Sequence, residues 1–405
     1  MNIEGMITKT NDKNLKSILD FDHFVIIQTA FLGDTTLTFY LCQFIKNYFK
    51  KHNKECKITF VTIPTWYDLV KEVTSIDNII LYDKKNKHKS ILSTLQIAKE
   101  INNLKPDCII SPHKSTRTSV LVKFINAKYK IGFDIANLSF VYNYKSIHQK
   151  NNHEIVRILS LLNGFREFAN IKFNNEYLAT VSKVDILDKA DNEDLKRVTR
   201  DENNVKEISN FISNGLTNNE FIIIAPGSVW ATKKWNSKYY AELISLIISK
   251  YPKFKIIITG GIADIDTSNE IMSHLKNINN VIFDNPMIEK NNIFDLTNKT
   301  SLDLSLFLFS KSILTITNDS APTHLSELVN KNVLTIYGPT SPKFGFSPRL
   351  INSAYIQLEN LDCKPCHIHG KNVCPIGTHI CMNLLKPDVV FEKVNELLAN
   401  ILEKD

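Results

Sequence analysis

The polar residues 318–320 (Asn-Asp-Ser) and 338–340 (Gly-Pro-Thr) each follow an apolar run, at 313–316 and 333–337, and a helical pattern lies between them. The pattern predicts strand, helix and strand with a polar turn after each strand. In parallel sheets such turns lie side by side, beyond the carboxyl ends of the strands. A helix that begins near Ser320 directs free backbone N–H groups and its positive dipole end at the same place, which suits a phosphate.

A carboxylate occupies a similar position near the N-terminus. The β-branched run 24–27 predicts a strand, and Asp34 precedes a helical pattern that starts at Thr35. An aspartate there is commonly a helix cap, because its side chain accepts hydrogen bonds from free N–H groups. The residues alone favour the cap.

Two adjacent lysines, Lys233 and Lys234, stand before Trp235 and after a strand predicted at 221–225. Adjacent lysines are often only solvated surface charge. A lysine fixed beside a large aromatic residue can instead place its charge on phosphate oxygens, which makes this pair a candidate phosphate site.

Four of the seven cysteines fall within residues 363–381, as Cys363, Cys366, Cys374 and Cys381. A Cys-x-x-Cys pair followed by two more thiols suits tetrahedral Zn²⁺, and four protein ligands would make such an ion structural. The second pair is spaced more loosely than in a zinc ribbon, so free thiols are an equal alternative.

The chain of 405 residues exceeds what one hydrophobic core usually serves, so two domains are expected. Predicted strands alternate with helices in both halves, which indicates parallel sheets. A charged segment at 183–216 predicts a linker, a β-branched run at 281–283 predicts a strand, and residues 302–309 fit either a strand or a helix. A final helical pattern follows Pro387.

The composition is ordinary for a globular protein, with 43% hydrophobic and 22% charged residues. The net charge of +7 fits a lysine-rich surface, or attraction to nucleotides, phosphorylated glycans or an anionic membrane face. No nucleic-acid-binding motif is present, so nucleic acid is not an expected partner. The first 22 residues lack the apolar core of a signal peptide and no run of 18 apolar residues occurs, so we expect a cytoplasmic protein.

Four segments together resemble the heptosyltransferases of glycosyltransferase family 9, GT-B enzymes that extend the inner core of lipopolysaccharide. Their order and spacing agree with the family over roughly residues 24–345, about four fifths of the chain. The segments are residues 26–34 (IIQTAFLGD), 226–235 (PGSVWATKKW), 259–261 (TGG) and 299–302 (KTSL), the last continuing through 318–324 (NDSAPTH) to 337–340 (YGPT). Ala321 replaces a glycine usual in the family, and Thr35-Thr36 replace residues that are often aliphatic. Neither change removes a charged group.

The resemblance implies an α/β fold of two Rossmann-like domains facing a cleft. The N-terminal domain, residues 1–200, would bind the acceptor, and the C-terminal domain, residues 201–385, the nucleotide sugar. Residues 386–405 would form a C-terminal helix that returns towards the N-terminal domain and packs on it. Residues 302–309 become helical by the same resemblance.

The resemblance also implies roles for individual residues. Asp34 becomes the general base, Gly33 permits a tight turn, and Lys233 matches the diphosphate-binding lysine better than Lys234. The donor-site residues would be Ser228, Thr300, Asp319, Ser320 and His324, with Gly227 and Gly261 in backbone turns.

No Asp-x-Asp pair stands directly at the end of a predicted strand, which is where a metal-dependent sugar transferase would use one. The resemblance therefore implies an inverting transferase without a catalytic metal, using ADP-heptose as donor and a lipopolysaccharide core or related glycan as acceptor, with peripheral contact to the inner membrane. The alternatives are a sugar-nucleotide epimerase or hydrolase on the same fold, and a non-catalytic, zinc-bearing, anion-binding protein.

Overall fold

The computed structural model describes residues 15–186, 221–282 and 292–403. The chain divides into two compact units, Met1–Leu187 and Asp188–Asp405. The predicted domain boundary at residue 200 and most of the predicted linker at 183–216 lie outside the described residues.

The first unit is built on a sheet of six parallel strands in the order β3-β2-β1-β4-β5-β6. The strands are β1 His23–Ile27, β2 Lys57–Thr62, β3 Asn78–Leu81, β4 Cys108–Ser111, β5 Tyr129–Phe133 and β6 Tyr144–Ser146. The helices are α1 Leu32–Lys51, α2 Tyr67–Val70, α3 Ile91–Asn103, α4 Thr116–Phe124, α5 Glu154–Leu159 and α6 Asn175–Leu178.

The second unit repeats this design with the parallel order β12-β11-β10-β7-β8-β9. Its strands are β7 Phe221–Ala225, β8 Lys255–Ile258, β9 Ile293–Asp295, β10 Leu314–Asn318, β11 Val333–Tyr337 and β12 Ala354–Gln357. Its helices are α7 Ser237–Lys250, α8 Ile265–Ile282, α9 Leu302–Lys311, α10 Ala321–Leu328, α11 Ile380–Asn383 and α12 Pro387–Leu402.

Every residue of the central strands β1, β7, β10 and β11 is buried, which explains why they appear in the sequence as continuous apolar or β-branched runs. In both sheets the unit's first strand neighbours its fourth, β1 beside β4 and β7 beside β10. The chain winds away in opposite directions from this pair. Ligands bind beyond the carboxyl ends of the strands at such a switch point.

The C-terminal helix α12 belongs to the core of the second unit. Its buried residues recur at helical spacing and join the core cluster that contains α7; they are Val390, Val394, Leu397, Leu398 and Ile401. The ammonium group of Lys250, at the end of α7, also lies 5.9 Å from the ring centre of Phe391. The apolar stripe of α12 is therefore used within its own unit.

The predicted α/β class with parallel sheets is confirmed, and residues 302–309 are helical as the family resemblance implied. The strand predicted at 281–283 is wrong, because α8 continues through Ile282; Phe283 lies outside the described residues. Among the described residues, no helix is both long and apolar enough to cross a membrane.

Candidate functional site

Asp34 lies at the switch point of the first unit, in the turn of helix that follows β1. It is the third residue of α1, whose cap position is Phe31, with no side-chain capping bond. Gly33 is the second residue of the same helix, so it lies inside the helix and not in a preceding turn. Asp34 is therefore not the N-cap residue that its sequence position first suggested.

The environment of Asp34 disfavours its charged form. Burial, and after it the nearby Glu154 carboxylate, raise the pKa of Asp34 from 3.8 to about 6. Lys114 and the backbone N–H of Phe31 oppose the shift. A carboxyl group with a pKa near 6 is ionised at neutral pH and still able to accept a proton, which is the property of a general base.

The groups around Asp34 come from distant parts of the sequence. Lys114 follows β4, and its ammonium nitrogen lies 3.2 Å from Nε2 of His148. Glu154, at the start of α5, forms a buried ion pair with Arg157, with Nε and Oε2 2.8 Å apart. Sequence reasoning missed Lys114 and Glu154, because no local spacing connects them with Asp34.

His113 is adjacent to Lys114 and stays neutral. Its Nδ1 lies 3.0 Å from Oγ1 of Thr29 and 2.7 Å from Oγ1 of Thr118. Burial, and after it the positive charges of Lys84 and Lys114, lower the pKa of His113 to about 3. The imidazole therefore connects β1 to α4 as an uncharged hydrogen-bonding group.

Lys233 and Asp319 form the centre of the second unit's switch point. The Lys233 ammonium lies 2.6 Å from Oδ2 of Asp319 and donates to the Asp319 carbonyl at 3.1 Å. Thr340 donates its hydroxyl to the same carboxylate oxygen at 2.6 Å. The predicted residues Lys233 and Asp319 are thus brought together, and Thr340 joins them from the turn after β11.

The two adjacent lysines point to different strands. Lys234 lies 3.8 Å from Oδ1 of Asp264 and donates to Thr267 at 3.2 Å, at the end of β8. Lys233 instead reaches the end of β10, beside the start of α10. This geometry agrees with the prediction that Lys233 is the phosphate-binding member of the pair.

Asn318 holds the loop that carries Lys233 against β10. Its buried Oδ1 accepts from the Trp235 N–H at 3.1 Å and from the Tyr240 hydroxyl at 3.0 Å. Its Nδ2 donates to the carbonyl of Pro226 at 2.5 Å. Three elements therefore meet at one amide, which fixes the position of the loop.

Among the described residues, no side chain caps the start of α10. Ser320 occupies the cap position, but its side chain caps no helical N–H; it donates to the Asn318 carbonyl at 3.3 Å. His324 is buried, and burial followed by the positive charge of Lys233 lowers its pKa to about 4. Its Nδ1 has no hydrogen-bond partner among the residues that the structure describes.

The other predicted donor residues shape the surrounding turns. Ser228 accepts from the Trp230 N–H at 3.3 Å, and Thr300 pairs with Ser305 at 2.8 Å beside the cap of α9. A Cβ at Gly227 would lie 2.4 Å from Cγ of Asp264, so this position requires glycine. A Cβ at Gly261 would meet nothing within 4 Å, so crowding is not the reason for glycine there.

A family model described as "Glycosyltransferase family 9 (heptosyltransferase)" matches residues 94–375. This chain belongs to glycosyltransferase family 9. The match covers more than half of the chain, and it confirms the resemblance drawn from the four motifs.

Individual members of glycosyltransferase family 9 resemble the chain over most of its length. Lipooligosaccharide heptosyltransferase 2 of Campylobacter jejuni is 27% identical over 92% of this chain and 97% of that protein. Lipopolysaccharide heptosyltransferase 1 of Campylobacter coli is 26% identical over 78% of this chain and 83% of that protein.

Solved structures show the same fold at lower identity. A family 9 glycosyltransferase from Veillonella parvula superposes with a TM-score of 0.71 at 19% identity, covering 94% of this chain and 98% of that one. The ADP-heptose heptosyltransferase II of Escherichia coli superposes with a TM-score of 0.66 at 16% identity, covering 95% and 99%.

The cysteine-rich segment of this glycosyltransferase holds four free thiols. Among the described parts of the chain, no group of three or more His, Cys, Asp or Glu side chains is placed to hold a metal ion, so the predicted structural zinc is not supported. Cys381 lies in the core of the second unit and packs as an apolar residue. The Cys366 thiol donates to the Cys363 carbonyl at 2.8 Å.

The same segment forms hydrogen bonds with the loop that carries Lys233 and packs against it. Lys371 and Thr232 exchange backbone and hydroxyl hydrogen bonds of 2.7 to 3.0 Å, and Nε2 of His379 lies 2.7 Å from the Thr232 carbonyl. Gly370, at φ +88°, packs so closely that a Cβ there would lie 3.1 Å from Cγ of Lys233. The segment therefore supports a residue of the donor site.

Proposed function

We propose that this protein is an inverting heptosyltransferase that moves heptose from ADP-heptose onto a lipopolysaccharide core or a related glycan. The observation that carries the proposal is Asp34, a carboxyl group whose pKa of about 6 poises it as a base at the switch point of the first unit.

The first unit supplies the proton acceptor. As the acceptor oxygen bonds to the anomeric carbon of heptose, its proton passes to the Asp34 carboxylate and the bond to the diphosphate breaks on the opposite face of the sugar. A single displacement of this kind inverts the anomeric configuration. Burial keeps Asp34 basic enough to accept the proton in the transition state.

The second unit stabilises the leaving group. The donor diphosphate would take the Lys233 ammonium from Asp319, which frees the carboxylate of Asp319 to bind sugar hydroxyls. The N-terminus of α10, which Ser320 leaves uncapped, adds N–H groups and the positive end of the helix dipole. A neutral His324 can donate or accept a hydrogen bond beside Lys233 without adding charge.

Catalysis is proposed to be independent of a divalent metal. The sequence offers Lys233 and a helix N-terminus where a metal-dependent transferase would place a pair of carboxylates. Both groups act where negative charge develops on the departing diphosphate.

The names of the relatives support the choice of sugar and acceptor. The Campylobacter jejuni relative is named a lipooligosaccharide heptosyltransferase, and 97% of its length matches this chain. A solved neighbour of Escherichia coli, at 13% identity, was captured with ADP-2-deoxy-2-fluoro heptose. We place the enzyme at the cytoplasmic face of the inner membrane, as the sequence predicted.

The test is transfer itself. Purified protein would be incubated with ADP-heptose and a heptose-free lipopolysaccharide core, and the products followed by mass spectrometry and NMR. We expect ADP and a heptosylated core with inverted anomeric configuration. Free heptose without a glycan product would indicate a hydrolase, and an altered nucleotide sugar would indicate an epimerase; either result would refute the proposal.

A further inference from the structure

Six large apolar side chains are exposed at the carboxyl end of the first unit's sheet, in the segments that follow β3, β5 and β6. They form the apolar patch, defined here as Ile91, Leu92, Ile135, Leu138, Phe140 and Ile147. Ile91, Leu92, Phe140 and Ile147 are between 69% and 75% exposed, and Ile135 and Leu138 are 49% and 38% exposed. Single exposed apolar residues are common, but six in three segments at the same end of one sheet need an explanation.

Hydrogen bonds through the turn after β4 join these segments into one surface. Arg117 donates to the carbonyls of Lys84 and Lys89, the latter at 2.7 Å, which ties down the segment before α3. The Asn137 N–H donates to the Lys114 carbonyl at 3.0 Å, which ties down the segment after β5. The segments that follow β3 and β5 are therefore both connected to the turn after β4.

The segment after β6 is joined to the others through Asp134. Its Oδ1 accepts from the backbone N–H of His148 and of Ile135, each at 2.9 Å. Its own N–H donates to the Ser146 carbonyl at 2.9 Å. The Asp134 carboxylate is thus occupied by backbone donors within the surface.

Positive charge surrounds the apolar patch. Residues 83–92, 113–117 and 134–150 contain seven lysines and Arg117 against two aspartates, a net charge of +6. The second aspartate, Asp83, also accepts from a backbone N–H, that of Asn86 at 3.1 Å. Burial, and after it the positive charges of Arg117 and Lys85, lower the pKa of Lys84 to about 8.

We propose that this surface docks the first unit on an anionic lipid bilayer, with the apolar patch inserted at the headgroup boundary and the lysines on lipid phosphates. Exposed apolar side chains in lysine-rich segments are the pattern of proteins that bind at a bilayer interface. A second copy of the chain would bring one +6 surface against another, so charge opposes self-association here. The inference rests on the proposed function, because a lipopolysaccharide acceptor is anchored in a membrane.

The bilayer also fits the position of the base. Lys114 belongs to this surface and acts on the pKa of Asp34, so the surface extends to the residue proposed to activate the acceptor. Docking would present a membrane-anchored acceptor to Asp34 without requiring that its lipid part leave the bilayer.

The test is cosedimentation of the full-length protein with vesicles, without donor or acceptor. We expect binding to vesicles of phosphatidylglycerol and phosphatidylcholine, weaker binding at high salt, and little binding to phosphatidylcholine alone. A surface lysine contributes about fivefold in affinity near an anionic membrane, so Lys85→Gln with Lys87→Gln should weaken binding roughly 25-fold. Lys276→Gln, an exposed lysine of the second unit, is the matched control and should change little.

The apolar patch is tested in the same way. Phe140→Ser with Ile147→Ser should weaken vesicle binding at least tenfold, since both side chains would otherwise be buried among lipids. The control is Ile351→Ser, which changes an isoleucine of the second unit that is 90% exposed. Circular dichroism and melting temperature show that each variant is folded.

Equal binding by the patch variants and wild type, or equal binding to neutral and anionic vesicles, would overturn the proposal. The proposal would also be overturned if the wild type did not bind vesicles but formed a dimer, and if Phe140→Ser with Ile147→Ser dissociated that dimer. A second copy of the chain would then cover the patch. Transfer to a delipidated core acceptor should stay at the wild-type rate in the patch variants. If neither the wild type nor the variants transferred heptose to this acceptor, the proposed function would be contradicted, whereas the result on vesicle binding would be unaffected.

Discussion

Asp34 occupies a position where two opposing effects act on one carboxyl group. The first turn of α1 stabilises negative charge through free N–H groups, whereas burial and Glu154 disfavour it. Burial prevails, and the pKa rises to about 6. A capping aspartate would show the reverse, a lowered pKa, so the electrostatics favour a chemical role over a capping one.

Replacing Asp34 with asparagine keeps the shape of the side chain and removes its basicity. We expect Asp34→Asn to lower kcat by about 10²- to 10⁴-fold while the affinity for ADP-heptose stays nearly unchanged. Steady-state kinetics and calorimetric titration measure the two quantities. Asp388→Asn removes a first-turn carboxylate from α12 and should leave both unchanged. Near-normal turnover in Asp34→Asn would end the assignment of Asp34 as the base.

The pKa of Asp34 also predicts opposite effects of pH on activity and stability. Below about pH 6 the base is protonated, so kcat/KM should fall with an acid limb near that value. The folded-state pKa lies above the ordinary 3.8, so the folded protein binds the proton more tightly and this group's contribution to stability increases as pH falls from about 6 towards 3.8.

The matching measurement compares melting temperatures of the wild type and Asp34→Asn. The variant should melt higher at pH 8, where the wild type holds a buried charge, and the difference should disappear near pH 4. A variant that melts lower than the wild type at pH 8 would show that Asp34 is a stabilising, structural carboxylate.

The divergent contacts of Lys233 and Lys234 give a second prediction at this scale. Lys233→Ala should weaken ADP binding by about tenfold to a hundredfold, the range expected for a charge-assisted hydrogen bond to phosphate. Lys234→Ala, which loses contacts to Asp264 and Thr267, should change it by less than about threefold. Binding of adenosine, which has no phosphates, is the internal control. The opposite ranking would mean that the wrong lysine was chosen.

At the scale of elements, the sequence predicted the strands with long apolar runs and missed those without them. Strands β4, β7 and β11 have the predicted limits because all their residues are buried. Edge strand β12 and strand β5, whose first residues are partly exposed, carry no such run. Residues 281–283 carry strand-forming residues, yet the preceding helix continues through Ile282, so local propensity was overridden.

The site was predictable only where its residues lie in local motifs. Lys233, Asp319 and Ser320 follow strands in recognisable order, and the structure gathers them at one switch point. Lys114 and Glu154 reach Asp34 only because β4 lies beside β1 and α5 packs nearby. Such contacts depend on tertiary topology, which spacing along the chain does not encode.

The packing of the cysteine-rich segment against the loop that carries Lys233 can be tested at Gly370. Gly370→Ala should lower ADP affinity at least threefold, because the new Cβ would lie within 3.1 Å of both Trp230 and Lys233. Gly377→Ala is the matched control: it has φ +73° and pays the same backbone cost, but its Cβ would meet nothing within 4 Å. Calorimetric titration and melting temperature separate the two effects. Equal loss of affinity in both variants would show only general destabilisation.

At the scale of the whole molecule, one strand order is used twice, and each copy provides a different half of the chemistry. The first sheet places a base after β1, and the second places a cation and a helix N-terminus after β7 and β10. In the proposed mechanism, the same switch-point geometry serves proton transfer in one unit and anion binding in the other. The side chains in the loops, and not the fold, make that difference.

The proposed mechanism, in which the second unit supplies the positive charge for the leaving group, predicts how the enzyme responds to chelators. The diphosphate gains negative charge as it leaves, and Lys233 with the start of α10 supplies the compensating positive charge from the protein itself. Turnover should therefore persist in EDTA at the rate measured with Mg²⁺. Lys233→Ala should then be the variant in which added Mg²⁺ partly restores turnover, since a cation could replace the missing ammonium group. Activity of the wild type that is lost in EDTA and recovered with Mg²⁺ would overturn the metal-independent mechanism.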